Sequence, residues 1–283
     1  VASWRPRRAP TAHKGDAGRV LLLAGSVGMT GAAALAALGA LRGGAGLVTV
    51  AVPRSLQESM ATKLTEAMTL GLPETPARAL AATALTALPP SAREVDALAI
   101  GPGLGRDPET GMLVRTLLRE WTRPLVVDAD ALTLVSPAGP GIFPPEAVLT
   151  PHPGELARLL GTDVATVESN RVDAARRAAR EFGCVVVLKG AASLIAAPDG
   201  RLAINSTGTA AMASGGVGDV LTGLVAALLG QGLPPFEAAA AAVYLHGLAG
   251  EQAAADVGGI GMLASDLAER LPRAMAATRE RGE

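Results

Sequence analysis

Short apolar runs alternate with longer stretches of helical pattern along this chain, and that alternation leaves few folds open. Val20–Ala24 (VLLLA), Leu47–Val52, Ala97–Ile100, Leu125–Val127, Val148–Leu149 and Val185–Leu188 are apolar at consecutive positions. A strand that is apolar on both faces is buried on both faces. The segments between them read as helices over Gly31–Leu41, Leu56–Lys63, Glu109–Trp121 and Val167–Phe182, with another opened by Pro151–Glu155. Pro198-Asp199-Gly200 signals a hairpin between Ser193–Ala196 and Leu202–Ile204. Gly218–Leu229, Pro235–Asp256 and Ser265–Thr278 read as closing helices, while Pro73–Pro90 carries no clear pattern. The expectation is an α/β fold, a mainly parallel sheet with helices on both faces. Neither a low-complexity linker nor an internal repeat divides the 283 residues, so one domain over residues 1–283 is expected.

Charge and composition exclude several classes of partner. Lys plus Arg is 25 and Asp plus Glu is 26, and only two Trp, one Tyr and three Phe are present. That balance fits neither a nucleic-acid platform nor an anionic membrane surface. The mean hydropathy of +0.34 raises the question of a membrane span. The longest uncharged run, between Arg19 and Arg42, is broken by Gly25, Ser26, Gly28, Thr30, Gly31 and Gly39. It reads as strand, loop and helix, so no membrane span is expected. Trp4, Arg5, Arg7 and Arg8 have no apolar signal core behind them, and Cys184 is the single cysteine. A reducing, cytoplasmic setting is expected.

In open parallel sheets, ligands bind beyond the carboxyl ends of the strands. Gly25-Ser26, Gly101-Pro102-Gly103-Leu104-Gly105, Asp128-Ala129-Asp130, Pro151-His152-Pro153-Gly154-Glu155 and Lys189-Gly190 all follow predicted strands. Together they point to one shared crevice. The sharpest segment is Ala213-Ser214-Gly215-Gly216-Val217-Gly218-Asp219. Glycines ahead of a helix let the backbone approach an anion, and the helix N-terminus stabilises it. Asp219 in the first turn would repel that anion unless it serves as general base for a hydroxyl attacking a phosphate. The plain alternative is an ordinary helix-start aspartate beside a glycine turn. No GxxxxGK[ST] pattern occurs.

Other positions leave two readings open. Lys189-Gly190 is either a cation and bare backbone beside a nucleotide or a surface lysine at a strand end. His152 lies between two prolines that fix its backbone, which suits either a positioned imidazole or a structural one. Asp128 and Asp130 either hold Mg²⁺ or, for Asp130, cap the next helix. His246, in an Ala-rich helix, reads as a hydrogen-bonded core histidine.

Taken in order, these segments resemble one family. His13-Lys14-Gly15, Met29-Thr30-Gly31-Ala32-Ala33, Ile100–Gly105, Val127–Leu132, Thr150–Glu155, Leu188–Ala191, Met212–Gly223, Tyr244–Gly247 and Ala264–Leu267 follow the pattern of ADP/ATP-dependent NAD(P)H-hydrate dehydratases. The likeness covers roughly residues 13–270. It implies a ribokinase-like three-layer sandwich. It also implies repair of NADH and NADPH hydrated on the nicotinamide ring: ADP or ATP phosphorylates the ring hydroxyl, and phosphate then leaves. By this resemblance Ala32, Gly103, His152 and Asp219 contact the hydrated dinucleotide, with Asp219 catalytic. Lys189, Gly190, Ala191, Ala192, Ser193, Gly216 and Gly218 lie along the adenine nucleotide. Mg²⁺ is expected with the nucleotide, its protein ligands unassigned, and a homotetramer is expected. Thr133 stands where the family often has Asn after its Asp-Ala-Asp-Ala-Leu run. Many bacterial members carry a fused N-terminal epimerase domain. About a dozen residues precede His13 here, so the epimerase is expected as a separate protein or a removed segment. The rivals are a ribokinase-type kinase for a vitamin precursor and a nucleotide sensor without turnover.

Overall fold

The computed structural model describes Thr11 and residues 13–280. Trp4, Arg5, Arg7 and Arg8 therefore lie outside the described residues. Nine strands form one sheet: β1 Arg19–Leu23, β2 Leu47–Pro53, β3 Met68–Leu72, β4 Ala97–Ile100, β5 Leu125–Val127, β6 Ala147–Leu149, β7 Val185–Leu188, β8 Leu194–Ala196 and β9 Leu202–Ile204. Their order is β3-β2-β1-β4-β5-β6-β7-β8-β9. Every pair from β3 to β7 is parallel, and β7-β8-β9 pair antiparallel. The expected mainly parallel sheet and its closing hairpin are both present.

The helices are α1 Thr30–Arg42, α2 Gln57–Lys63, α3 Pro90–Arg93, α4 Pro108–Glu120, α5 Ala129–Leu134, α6 Pro153–Leu159, α7 Val164–Ser169, α8 Arg171–Phe182, α9 Val217–Gly230, α10 Pro235–Val257 and α11 Ala264–Glu280. Alternate residues of β1 face opposite layers. Val20 and Leu22 join a core with α1, α9, α10 and α11, while Leu21 and Leu23 join a second core with α4, α5, α6 and α8. This is the three-layer α/β/α sandwich that the apolar runs imply. Among the described residues, no helix is long and apolar enough to cross a membrane.

The helical layer is drawn unusually close. A Cβ on Gly223 of α9 would stand 1.9 Å from the Ala36 carbonyl oxygen of α1, and one on Gly39 would stand 2.2 Å from the Val220 carbonyl oxygen. Two small residues facing each other let the backbones touch, which seats the start of α9 against α1.

Three local features depart from the expectation. β3 falls between the helix expected over Leu56–Lys63 and the patternless Pro73–Pro90, where no element was expected, because it is an edge strand with exposed Met68 and a glycine at 71. The helix expected over Val167–Phe182 is broken at Asn170, whose backbone leaves helical geometry at φ −149° and ψ 77°. Its side chain accepts from the Asp173 N–H at 3.2 Å and so starts α8 afresh. A short helix, α5, follows Asp128 directly.

Candidate active site

The chain reverses direction across the sheet between β1 and β4, which are neighbours although β2 and β3 intervene in sequence. Such a switch point opens a crevice outside the carboxyl ends of the strands. The loops after β1 and β4 meet there. The Gly25 N–H donates to the Pro102 carbonyl at 2.8 Å, and the Ser26 hydroxyl donates to the Gly103 carbonyl at 2.9 Å. Further along the same edge, the Lys189 N–H donates to the Pro151 carbonyl at 2.9 Å. The predicted crevice loops are therefore tied into one rim.

The glycine turn leads into α9. Gly216 sits in the left-handed region at φ 88°, and a Cβ there would stand 2.3 Å from a terminal carbon of Leu35 on α1. No side chain caps the N-terminus of α9. Its first N–H groups remain available to an anion. Asp219, half-buried, lies in that first turn. Burial pushes its carboxyl up to about 7, and Asp128, Asp130 and Glu155 push the same way against the opposing charge of Lys189.

Lys189 reaches inward rather than out to solvent. Its Nζ lies 2.8 Å from Asp128 Oδ1 and 3.8 Å from Glu155 Oε2. The same nitrogen lies 3.6 Å from where a Cβ on Gly218 would stand, so the ammonium sits beside the start of α9. Burial alone would lower its pKa. Asp128 and Glu155 outweigh that and hold it above the ordinary lysine value. Of the two readings open in the sequence, the surface lysine is thereby excluded.

Asp128 is 1% exposed and pairs a second time, with its Oδ2 accepting the Thr222 hydroxyl at 2.6 Å. Thr222 is fully buried one turn along α9 from Gly218. Asp130 does not cap α5. Its carboxylate accepts the Gly105 N–H at 3.0 Å and faces Arg106 at 3.6 Å. Among the described residues, no group of three His, Cys, Asp or Glu side chains is placed to hold a metal ion. Both Asp128 oxygens are engaged, by Lys189 and Thr222.

His152 is the N-cap of α6. Its Nδ1 accepts from the Gly154 N–H at 3.0 Å and the Glu155 N–H at 3.3 Å, while the Glu155 carboxylate accepts the His152 N–H at 2.8 Å. Nδ1 is thus an acceptor, and the neutral ring carries its proton on Nε2. Burial holds the imidazole below its usual pKa and Glu155 above the usual carboxylate value. His246 is a core residue as expected. It is 6% exposed, its Nε2 lies 2.9 Å from the Val217 carbonyl, and burial lowers it to about 4.

Ala32 and Gly103 abut each other at the switch point. A Cβ on Gly103 would stand 3.0 Å from that of Ala32. Ala32 lies one turn before Leu35 on α1, and Leu35 meets Gly216, so this pair borders the glycine turn. Gly190 to Ser193 form a tight turn in which the Ser193 hydroxyl donates to the Gly190 carbonyl at 3.0 Å. Arg171 braces that turn, donating to the Lys189 carbonyl at 3.2 Å. Gly190, Ala191 and Ala192 are exposed beside the site. Sequence reasoning gave no role to Thr222 or Arg171. The four-residue step from Gly218 to Thr222 was the available signal for the former, and nothing local marks the latter.

A family model for NAD(P)H-hydrate dehydratase matches residues 20–273. The chain is 52% identical over 96% of its length to a bifunctional NAD(P)H-hydrate repair enzyme of Moorella thermoacetica, of which it covers 52%. It thus spans about half the length of such bifunctional curated relatives. It is 37% identical over 95% of its length to an ADP-dependent (S)-NAD(P)H-hydrate dehydratase of Xanthomonas campestris, covering 91% of that protein. A crystal structure of the Bacillus subtilis ADP/ATP-dependent NAD(P)H-hydrate dehydratase, co-crystallized with ATP and Mg²⁺, superposes with a TM-score of 0.84 at 33% identity. That match covers 98% of this chain and 95% of the other. The likeness read from the order of the motifs extends through sequence and fold alike, and the chain belongs to the NAD(P)H-hydrate dehydratase family.

Proposed function

We propose that this chain dehydrates hydrated NADH and NADPH at the expense of ADP or ATP, and that Asp219 is the general base. The observation that carries the reading is the pairing of an uncapped helix N-terminus with a carboxyl raised to about 7 in its first turn. An anion site with a carboxylate beside it suits one task, taking a proton from a hydroxyl that attacks phosphorus. The N–H groups around Gly216–Gly218 stabilise charge on the transferring phosphoryl group, and the Lys189 ammonium adds a positive charge on the same side. The hydroxyl oxygen bonds to phosphorus as the bond to the nucleotide leaving group breaks, giving AMP from ADP or ADP from ATP. Phosphate then departs with the C–O bonding electrons, a neighbouring ring carbon loses a proton, and the double bond returns. Hydroxide is a poor leaving group and phosphate a good one, which is why the nucleotide is consumed.

Ala32, Gly103 and His152 line the dinucleotide side in this proposal. Lys189, Gly190, Ala191, Ala192, Ser193, Gly216 and Gly218 line the nucleotide side. Mg²⁺ arrives with the nucleotide phosphates. The described residues act as one domain. The buried free thiol of Cys184 fits a reducing cytoplasm, and exposed Val257 at the end of α10, with Ile260 and Leu263 in the loop before α11, suits assembly into a tetramer.

The test uses purified protein with Mg²⁺, hydrated NADH and either ADP or ATP. Recovery of reduced-nicotinamide absorbance together with free phosphate supports the reading and identifies the donor. A stable phosphorylated product without recovered absorbance would make the protein a kinase instead.

A further inference from the structure

We propose that Asp128 is a positioning residue for phosphoryl transfer: locked by Thr222, it aims the Lys189 ammonium at the start of α9, where Asp219 stands. The inference deepens the dehydratase reading above and rests on it. Asp128 is 1% exposed and each of its carboxylate oxygens has its own partner, Lys189 Nζ at 2.8 Å and Thr222 Oγ1 at 2.6 Å. A carboxylate so enclosed is held at both oxygens. Its partners span the site: Lys189 follows β7, and Thr222 stands on α9 one turn beyond Gly218. The Thr222 hydroxyl also lies 3.2 Å from the Gly218 carbonyl. Its single proton goes to the shorter contact, on Asp128.

The charged groups around Asp219 are Asp128 at the end of β5, Asp130 on α5, Glu155 on α6 and Lys189 after β7. His246 of α10 is hydrogen-bonded to the Val217 carbonyl in the first turn of α9 and stays neutral near pH 7. Asp128 is the strongest charge raising the Asp219 carboxyl, and Lys189 opposes it. Removing the Asp128 charge therefore acts twice in one direction: it withdraws a negative neighbour and leaves Lys189 less neutralised.

The experiment compares wild type with Asp128→Asn, Thr222→Val and Thr222→Ser in the full chain. Asp219 is titrated by carboxyl-carbon NMR without substrate, and kcat/KM is measured against pH. Asp128→Asn should move the Asp219 midpoint down by about one pH unit or more, and the acidic limb of kcat/KM should follow it. Its kcat should fall at least about tenfold with ADP affinity changed far less. Thr222→Val should lower kcat and Thr222→Ser should restore it. An unmoved Asp219 midpoint in folded Asp128→Asn overturns the proposal. If Asp128→Asn fails to fold, equal kcat in the two Thr222 variants overturns it. The titration needs no dinucleotide, so an inactive protein whose midpoint still moves would count against the dehydratase reading and not against this one.

Discussion

Asp219 combines two opposed demands, and both are measurable. The proposed reaction asks its carboxyl to be a base near neutral pH, and the carboxyl is held in a site that disfavours its charge. Replacing it with Ala should lower turnover by about 10²–10⁴-fold while nucleotide binding, followed by calorimetry, is largely retained. The same site costs stability. A carboxyl whose folded pKa lies near 7, above its ordinary 3.8, binds its proton more tightly when folded. Its stabilising contribution is complete below the unfolded value and is lost as pH rises through the folded one. Asp219→Asn should therefore melt above wild type at pH 8, with the gain shrinking toward pH 4. A Tm difference that does not change with pH would contradict that linkage.

At the scale of elements, two helix starts carry the site, and they are built differently. The start of α6 is closed by its own residue, His152, whose ring nitrogen takes two backbone N–H groups. His152→Ala should destabilise by about 0.5–2 kcal/mol, read from denaturant unfolding. Asn at the same position can cap in place of the ring, so His152→Asn should restore stability without restoring the KM for the hydrated dinucleotide. The start of α9 is left open and is held by packing against α1. Gly223→Ala would drive a methyl group into the Ala36 carbonyl. The loss should be about 1–3 kcal/mol, exceeding any gain in helix propensity, and the site should loosen with it.

At the scale of the whole molecule, the loops that follow the parallel strands all gather at one edge of the sheet. Loops after β1 and β4 border one side, and the turn after β7 borders the other. A ligand that bridges them stabilises the folded state by mass action. ADP at about a hundredfold excess over its Kd should add about 2.7 kcal/mol, a rise of several degrees in Tm. Asp219→Ala should keep that rise, because its loss is in transfer and not in nucleotide binding. Thermal shift measurements with ADP, ATP and no nucleotide distinguish these outcomes.

The central strands, the three layers and the crevice loops were legible in the sequence by itself, because a strand buried on both faces must be apolar throughout and a crevice loop needs glycine or proline. The place of Asp219 in the first turn of a helix that follows glycines was legible too, because glycines ahead of an apolar helical run mark the turn. Edge strand β3 was not, since half of it faces solvent and its pattern weakens. Nor was the break at Asn170, where one side chain's backbone contact decides between one helix and two. The pairing of Asp128 with Lys189 and Thr222 joins residues 61 and 94 positions apart. No local spacing encodes it, and from sequence Asp128 was read only with Asp130, as a pair that could hold Mg²⁺. Only the folded sheet brings the ends of β5 and β7 to the start of α9, and there the charge of Asp128 is already committed to its neighbours.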